Sequence, residues 1–239
     1  SLGGAPQFGP PAAWALNGGA TVLRASYGEG SKAPTPYQLF SLYGNSALKP
    51  ESARGWDAGV QQRLLDGRVL LTANYFSRRT TDLIDFVSCT GRIGDALCVV
   101  DGVSRLGYYS NIARAKAQGI ELEASVTLAK GLQIDGNYTW TDTTNHSAGV
   151  NFGNWLDRRP RHTVNGRISY QWPFGLSTAV AVRYAGKSAN EPENLHWLDS
   201  YTLVDLRASM PLATGLEIFA RAENLFDKHY ETARLYGTL

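Results

Sequence analysis

"LEIFARAENLFDKHYET", running from Leu216 to Thr232, holds two patterns in succession. Leu216, Ile218, Ala220 and Ala222 alternate with Glu217, Phe219, Arg221 and Glu223, and the alternation then breaks into Asn-Leu-Phe-Asp-Lys. A period of two is the signature of a β-strand with different faces. One face here is apolar or small and the other carries three ionisable groups. The strand therefore divides an apolar medium from a polar one, and the nature of those two media decides the fold.

The same alternation recurs along the chain. Leu23, Ala25 and Tyr27 oppose Val22, Arg24 and Ser26. Trp56, Ala58 and Val60 oppose Asp57, Gly59 and Gln61. Past the turn "LLDGR", Val69, Leu71, Ala73 and Tyr75 oppose Leu70, Thr72, Asn74 and Phe76. In "QGIELEASVTL", Ile120, Leu122, Ala124, Val126 and Leu128 face away from Glu121, Glu123, Ser125 and Thr127. Leu132, Ile134, Gly136, Tyr138 and Trp140 follow against Gln133, Asp135, Asn137 and Thr139. Then Val164, Ile168, Tyr170 and Trp172 stand against Thr163, Asn165, Arg167 and Gln171. Thr178, Val180, Val182 and Tyr184 oppose Ser177, Ala179, Ala181 and Arg183, and Val204, Leu206, Ala208 and Met210 oppose Leu203, Asp205, Arg207 and Ser209. With the opening stretch, nine segments keep the pattern.

Composition limits what these strands build. With 239 residues, 43% hydrophobic and 18% charged, the chain suffices for one large all-β domain or two small ones. A net charge of +2 gives no general affinity for nucleic acid. No window approaches the roughly 18 consecutive apolar residues of a transmembrane helix, and "SLGGAPQFGPPAAW" lacks the basic start and apolar core of a signal peptide. A membrane barrel stays open, because its alternating strands leave overall hydropathy near that of a soluble protein.

A soluble sandwich also alternates, but three features favour the barrel. Strands of about ten residues recur, longer than the usual five or six of soluble sheets and close to what a tilted bilayer crossing needs. Aromatic residues collect at strand ends (Tyr27, Trp56, Tyr75, Tyr138, Trp140, Tyr170, Trp172, Tyr184 and Tyr201), where a barrel places its interfacial girdles. Connections alternate between short, as in "LLDG", "AKG", "WPFG" and "LATG", and long, as in "GEGSKAPTPYQLFSLYGNSALKP" and "TTNHSAGVNFGNWLDRRP". Short turns on one side and long loops on the other are the periplasmic and external ends of a bacterial barrel. The expected fold class is all-β, part of a transmembrane antiparallel up-and-down β-barrel. The apolar face of Leu216, Ile218, Ala220 and Ala222 meets lipid, where a charge costs about 2–4 kcal/mol near the midplane. Glu217, Arg221 and Glu223 then face a polar lumen, with Arg24, Glu121, Glu123, Arg167, Arg183, Asp205 and Arg207.

Cys89 and Cys98 lie in one segment, "CTGRIGDALC", outside any strand pattern. A loop-closing disulfide is the natural reading in an oxidising compartment, with two free thiols as the alternative; a metal pair lacks a neighbouring His.

"NLFDKHYE", with "ASYGEGSKAPTPYQLF", "YGNSALKPES" and "QGIELEASV", resembles the C-terminal half of a TonB-dependent outer-membrane receptor. "ARAKAQGIELEA" followed by "LDRRPRHTVNGRISYQW" is most similar to the cobalamin branch of that family. The resemblance implies a 22-stranded barrel around an N-terminal plug, in the bacterial outer membrane, taking up a scarce large ligand with energy delivered through TonB. Cobalamin is the ligand it favours and a ferric siderophore the alternative. About nine to ten strands are present, counting "PAAWAL" as the end of one more, so residues 1–239 are expected to be the C-terminal part of the barrel. No plug-like segment or coupling box precedes them, and the chain stops at "YGTL" where the family adds a final strand.

Recognition falls to loops carried on a rigid scaffold. Candidate ligand contacts are Tyr37, Tyr43 and Asn45 in the first long loop, and Arg92, Tyr108 and Tyr109 around the cysteine loop. Asn154, Trp155, Arg158 and Arg159 follow in the third loop, and His196 and Trp197 in the fourth. Aromatic rings with amides and guanidiniums suit a large amphipathic ligand such as a corrin or an iron chelate. For each residue, loop packing is the competing role, and Arg158, Arg159 and Arg161 also suit lipopolysaccharide phosphates. Haem is disfavoured, since no His occurs between Ala33 and Lys49, where the haem branch is expected to carry one. No GxSxG occurs and no phosphate-loop context surrounds "GRIGDA", so neither an enzyme nor a resident cofactor or metal is expected. The competing classes are a passive porin with the same polar lumen and a soluble carbohydrate-binding sandwich or adhesin.

Overall fold

The computed structural model describes residues 7–8, 12–89, 94–100 and 102–234. The main sheet has eleven strands, the two-residue Gln7–Phe8 and ten longer ones: β1 (Ala12–Leu16), β2 (Thr21–Lys32), β3 (Glu51–Leu64), β4 (Val69–Ser88), β5 (Gly107–Ala129), β6 (Leu132–Asn145), β7 (His162–Gln171), β8 (Ser177–Ala185), β9 (Tyr201–Ala213) and β10 (Leu216–Ala222). Each pairs antiparallel with its neighbour in sequence, and Gln7–Phe8 pairs with β2 beyond the end of β1. This is an up-and-down meander, the simplest order for hairpins in succession. Its two edges, β1 and β10, are not bonded to each other among the described residues, so the sheet is an open arc of a barrel.

Register carries one face continuously across the strands. Ala25 pairs with Ala58, Ala58 with Tyr75, Tyr75 with Ile120 and Ile120 with Trp140. Large apolar groups on this face are open: Trp56 is 48% exposed and Ile168 51%. In water such a continuous patch would drive association. Against hydrocarbon it needs no cover. The opposite face is joined by polar cross-strand pairs. Ser26 donates to Asp57 (2.5 Å), Ser125 to Asp135 (2.8 Å) and Asn165 to the Asn137 side-chain oxygen (3.0 Å). Residues are placed by the pleat, and a slip of one register position would put every one of these groups in lipid.

β4 and β5 are 20 and 23 residues long, where β3 and β6 have 14. At about 3.3 Å per residue they span roughly twice the ~30 Å hydrocarbon core, so their distal ends stand outside it. A register shift between Thr80 and Ile84, with Asp82 at φ 57°, marks the change from crossing strand to projecting ribbon. No helix among the described residues is long and apolar enough to cross a membrane.

The Asn-Leu-Phe-Asp-Lys break closes β10. The Asn224 amide donates to Asp205 Oδ1 (2.9 Å) and the Leu225 amide to the Val204 carbonyl (2.8 Å). Asn224 sits at φ 49°, and its side chain brackets Lys228, accepting from its amide and donating to its carbonyl. The motif is a turn clamp on β9.

Candidate ligand-binding loops

The long loops gather at the end of the sheet where β4 and β5 project. The first loop begins with a short helix, α1 (Pro36–Phe40), closed by a capping box: Thr35 Oγ1 accepts from the Gln38 amide and Gln38 Oε1 from the Thr35 amide (2.9 Å). Pro36 at the first helical position lacks the amide that would be orphaned there. The chain then folds back under the helix at Gly44. Any Cβ there would lie 2.6 Å from the Leu39 carbonyl oxygen, so only glycine fits without a shift.

This loop is tied to the top of β5. The Tyr109 amide donates to the Tyr43 carbonyl (3.0 Å), and Asn45 Nδ2 donates to the Tyr109 carbonyl (3.0 Å). Asn111 bridges the Lys49 carbonyl, the Lys49 amide and the Asp82 carbonyl. Arg105 donates to the carbonyls of Gly44 (2.9 Å) and Leu97 (2.5 Å), joining the first loop to the cysteine loop.

These ties bring four rings together. Tyr37 meets Tyr109 with centroids 6.2 Å apart, Tyr109 meets Phe86 at 5.7 Å and Phe86 meets Tyr43 at 5.6 Å, all edge to face. Tyr37 is 59% exposed and Phe86 44%, so the cluster presents ring surface outward. Such rings offer apolar area at small entropic cost, with hydroxyls at the rim.

The cysteine loop has its own small core. Cys89 and Cys98 are joined, with Cα atoms 5.6 Å apart, and pack with Val87 and Tyr108. Tyr108 is only 6% exposed, lies under the Arg105 guanidinium and donates to Asp95 Oδ2 (2.8 Å). Its ring packs inside the cysteine loop, with little of it at the surface. Arg92 lies outside the described residues.

The third and fourth loops form a second cluster. The Trp155 amide donates to Asn194 Oδ1 (2.8 Å) and Asn194 Nδ2 donates back to the Trp155 carbonyl (2.9 Å). Asn154 Nδ2 reaches the Pro192 carbonyl, and the Arg158 amide the Ala189 carbonyl (2.7 Å). Trp155 and Trp197 meet edge to face at 5.2 Å; the Arg161 guanidinium lies 3.5 Å from the Trp155 ring centre and the Lys187 ammonium 5.2 Å from that of Trp197. Arg161 also pairs with Asp142. His196 leans on Glu191, its amide donating to Oε1 (2.6 Å), while Arg159 stands exposed. Asn190, 2% exposed, exchanges hydrogen bonds with the backbone of Arg234, which ties the tail to the same plate.

The structure thus joins Tyr37, Tyr43, Asn45 and Tyr109 in one group, and Asn154, Trp155, Arg158, His196 and Trp197 in another. Sequence reading passed over Phe86 and Arg105. Phe86 carried a signal in "DLIDF", an aromatic beside a strand end, whereas Arg105 lies in a segment with no pattern. No group of three or more metal-ligating side chains occurs among the described residues.

A polar-faced meander with an apolar outer band, aromatic strand ends and loops clustered at one end is an outer-membrane β-barrel, here present in part. Residues 3–225 match the TonB dependent receptor-like, beta-barrel family, and the chain belongs to that family. Among curated proteins it is 29% identical over 190 residues to the metal-pseudopaline receptor CntO of Pseudomonas aeruginosa, covering 77% of this chain and 25% of that protein. The chain thus spans about a quarter of the length of the curated relatives it matches. Among solved structures, the ferripyoverdine receptor of the outer membrane of Pseudomonas aeruginosa superposes with a TM-score of 0.70 at 24% identity, covering 93% of this chain and 29% of that one. The ferric yersiniabactin uptake receptor FyuA from Yersinia pestis gives 0.70 at 21% identity, covering 95% and 33%.

Proposed function

We propose that this chain is part of a receptor that takes up a metal–siderophore complex across the outer membrane, energised through TonB. The observation that carries the reading is the likeness to a metal-pseudopaline receptor over 77% of the chain. The exposed ring cluster of Tyr37, Tyr43, Phe86 and Tyr109 supports it, because aromatic faces accept the flat, partly apolar shell of a chelated metal. A metal that arrives already chelated also needs no protein ligand set. None of the relatives described above is named for a corrin, so the siderophore displaces cobalamin as the preferred ligand.

The test is equilibrium binding to the full-length gene product in detergent, with a panel of ferric and other metal-loaded siderophores alongside cyanocobalamin. Submicromolar binding of a metal-loaded siderophore, with none of the corrin, supports the reading. Binding of cyanocobalamin alone overturns it in favour of the cobalamin branch.

A further inference from the structure

On the lipid-facing side of the sheet the apolar series ends in the aromatic row Tyr27 and Trp56, with Tyr75 and Ile120 just below on β4 and β5. Two residues further out, the same face carries three cations side by side. Glu29 pairs with Arg54, Arg54 with Arg79 and Arg79 with Lys116, in one unbroken register row across β2 to β5. Directly opposed residues on adjacent strands have Cα atoms only about 4.5–5.5 Å apart, and like charges so placed repel. The one carboxylate in the row, Glu29, sits at its end and accepts from the Tyr27 hydroxyl. Among the described residues Arg54, Arg79 and Lys116 enter no ion pair and no side-chain hydrogen bond, so the row keeps an excess of positive charge pointing outward.

Its height identifies the counter-ion. Two residues along a strand are about 6.6 Å, less after tilt, so the cations stand just outside the aromatic girdle, at headgroup level on the side of the long loops. Deeper in the band, across β3 to β8, small residues leave an apolar trough of about 820 Å³ on this face, lined by Ala73, Ala124 and Gly136 and walled by Leu71, Leu122 and Tyr138. A free anion has no use for such a trough, whereas an acyl chain does. We infer that the outward row Arg54, Arg79 and Lys116 binds the phosphate groups of a phosphorylated outer-leaflet glycolipid, lipid A in lipopolysaccharide, whose acyl chains lie over the trough below. The inference rests on the membrane placement of the sheet and is independent of which ligand the receptor transports.

The experiment uses full-length receptor purified in detergent from outer membranes, with lipid A extracted from the protein and quantified by mass spectrometry. The charge reversal Arg79→Glu and the triple neutral variant Arg54→Gln, Arg79→Gln, Lys116→Gln are expected to retain at least tenfold less lipid A. Lys130→Gln, in a short turn at the opposite end of the barrel, should match the parent. Folding of each variant is checked by heat-dependent gel mobility, and if the reversal misfolds the neutral triple decides the question. Readdition separates the possible sources: bis-phosphorylated lipid A should rebind the parent, while dephosphorylated lipid A should bind at least tenfold more weakly. Equal lipid A on folded variants and parent overturns the proposal. So does equal binding of the dephosphorylated lipid, or displacement of lipid A by millimolar inorganic phosphate, which would mark a simple anion site.

Discussion

Asp205 joins the two strands on either side of it: Oδ1 accepts the Asn224 amide at 2.9 Å from the end of β10, and Oδ2 accepts from Arg183 of β8 at 3.2 Å. Only 5% of the residue is exposed, so neither bond is replaced by water without rearrangement. Asp205→Ala would leave the Asn224 amide without its partner and break the pair with Arg183, and is predicted to destabilise this end of the sheet by about 1–3 kcal/mol. Asp205→Asn keeps an oxygen for the Asn224 amide and should lose less. Denaturant unfolding of the full-length receptor, followed by gel mobility, checks the order Ala below Asn below parent. An alanine variant as stable as the parent would refute the clamp.

Gly119 in β5 and Gly30 in β2 lie three strands apart in the same sheet, with opposite surroundings. A Cβ at Gly119 would stand 2.2 Å from the Trp140 carbonyl oxygen and 2.7 Å from the Phe76 ring, whereas at Gly30 nothing lies within 4 Å. Gly119→Ala is predicted to destabilise by about 1–3 kcal/mol through overpacking, and Gly30→Ala to fall within about 0.5 kcal/mol of the parent. The same unfolding measurement distinguishes the two, and equal effects would contradict the packing argument.

The Cys89–Cys98 bridge encloses a short loop whose core includes Tyr108, and Arg105 carries its order to the first loop. Reduction, or Cys89→Ser with Cys98→Ser, should free about 2–3 kcal/mol of loop-closure constraint and speed proteolysis between β4 and β5. The bilayer-spanning strands should unfold as before. Mass measurement with alkylation supplies the direct check, since two alkylatable thiols before reduction would exclude the bridge.

The two adjacent tyrosines make opposite predictions. Tyr109→Ala removes the ring between Tyr37 and Phe86 and is expected to weaken metal–siderophore binding by up to about tenfold, the equivalent of roughly 1.4 kcal/mol. Tyr108→Ala opens the core of the cysteine loop, so it should raise protease sensitivity there as well. Titration calorimetry combined with limited proteolysis reads both. A Tyr109→Ala receptor with parental affinity would remove the ring cluster from the binding site.

The strand ladder was legible because lipid on one side and water on the other force a strict period of two, as in Leu122 to Leu128 against Glu121 to Thr127. Where that contrast ends, so does the signal. β4 continues through Ser77, Arg79 and Thr81 to Ser88 with polar residues on both faces, and nothing in the pattern tells crossing strand from projecting ribbon. Helix α1 was written in "TPYQLF", since Thr35, Pro36 and Gln38 form a capping box, yet a single turn is too short to show periodicity. Tyr108 and Tyr109 are adjacent in β5 and so fall on opposite faces, and which of them meets a loop core depends on Cys98 and Val87 folding in from elsewhere. The motifs nearest the cobalamin branch, "ARAKAQGIELEA" and the segment from Leu156, form β5 and β7 with the loop end leading into β7; apart from Arg158 and Arg159 these are scaffold positions, which carry little information about ligand.

Energised uptake of a metal chelate is the central claim, and transport by cells tests it most directly. In a strain lacking the gene, uptake of radiolabelled metal–siderophore should be lost, return with the full-length gene, and stop when the proton gradient is collapsed by an uncoupler. Restored uptake that persists after the gradient is collapsed would contradict the account, since that is the behaviour of a passive pore.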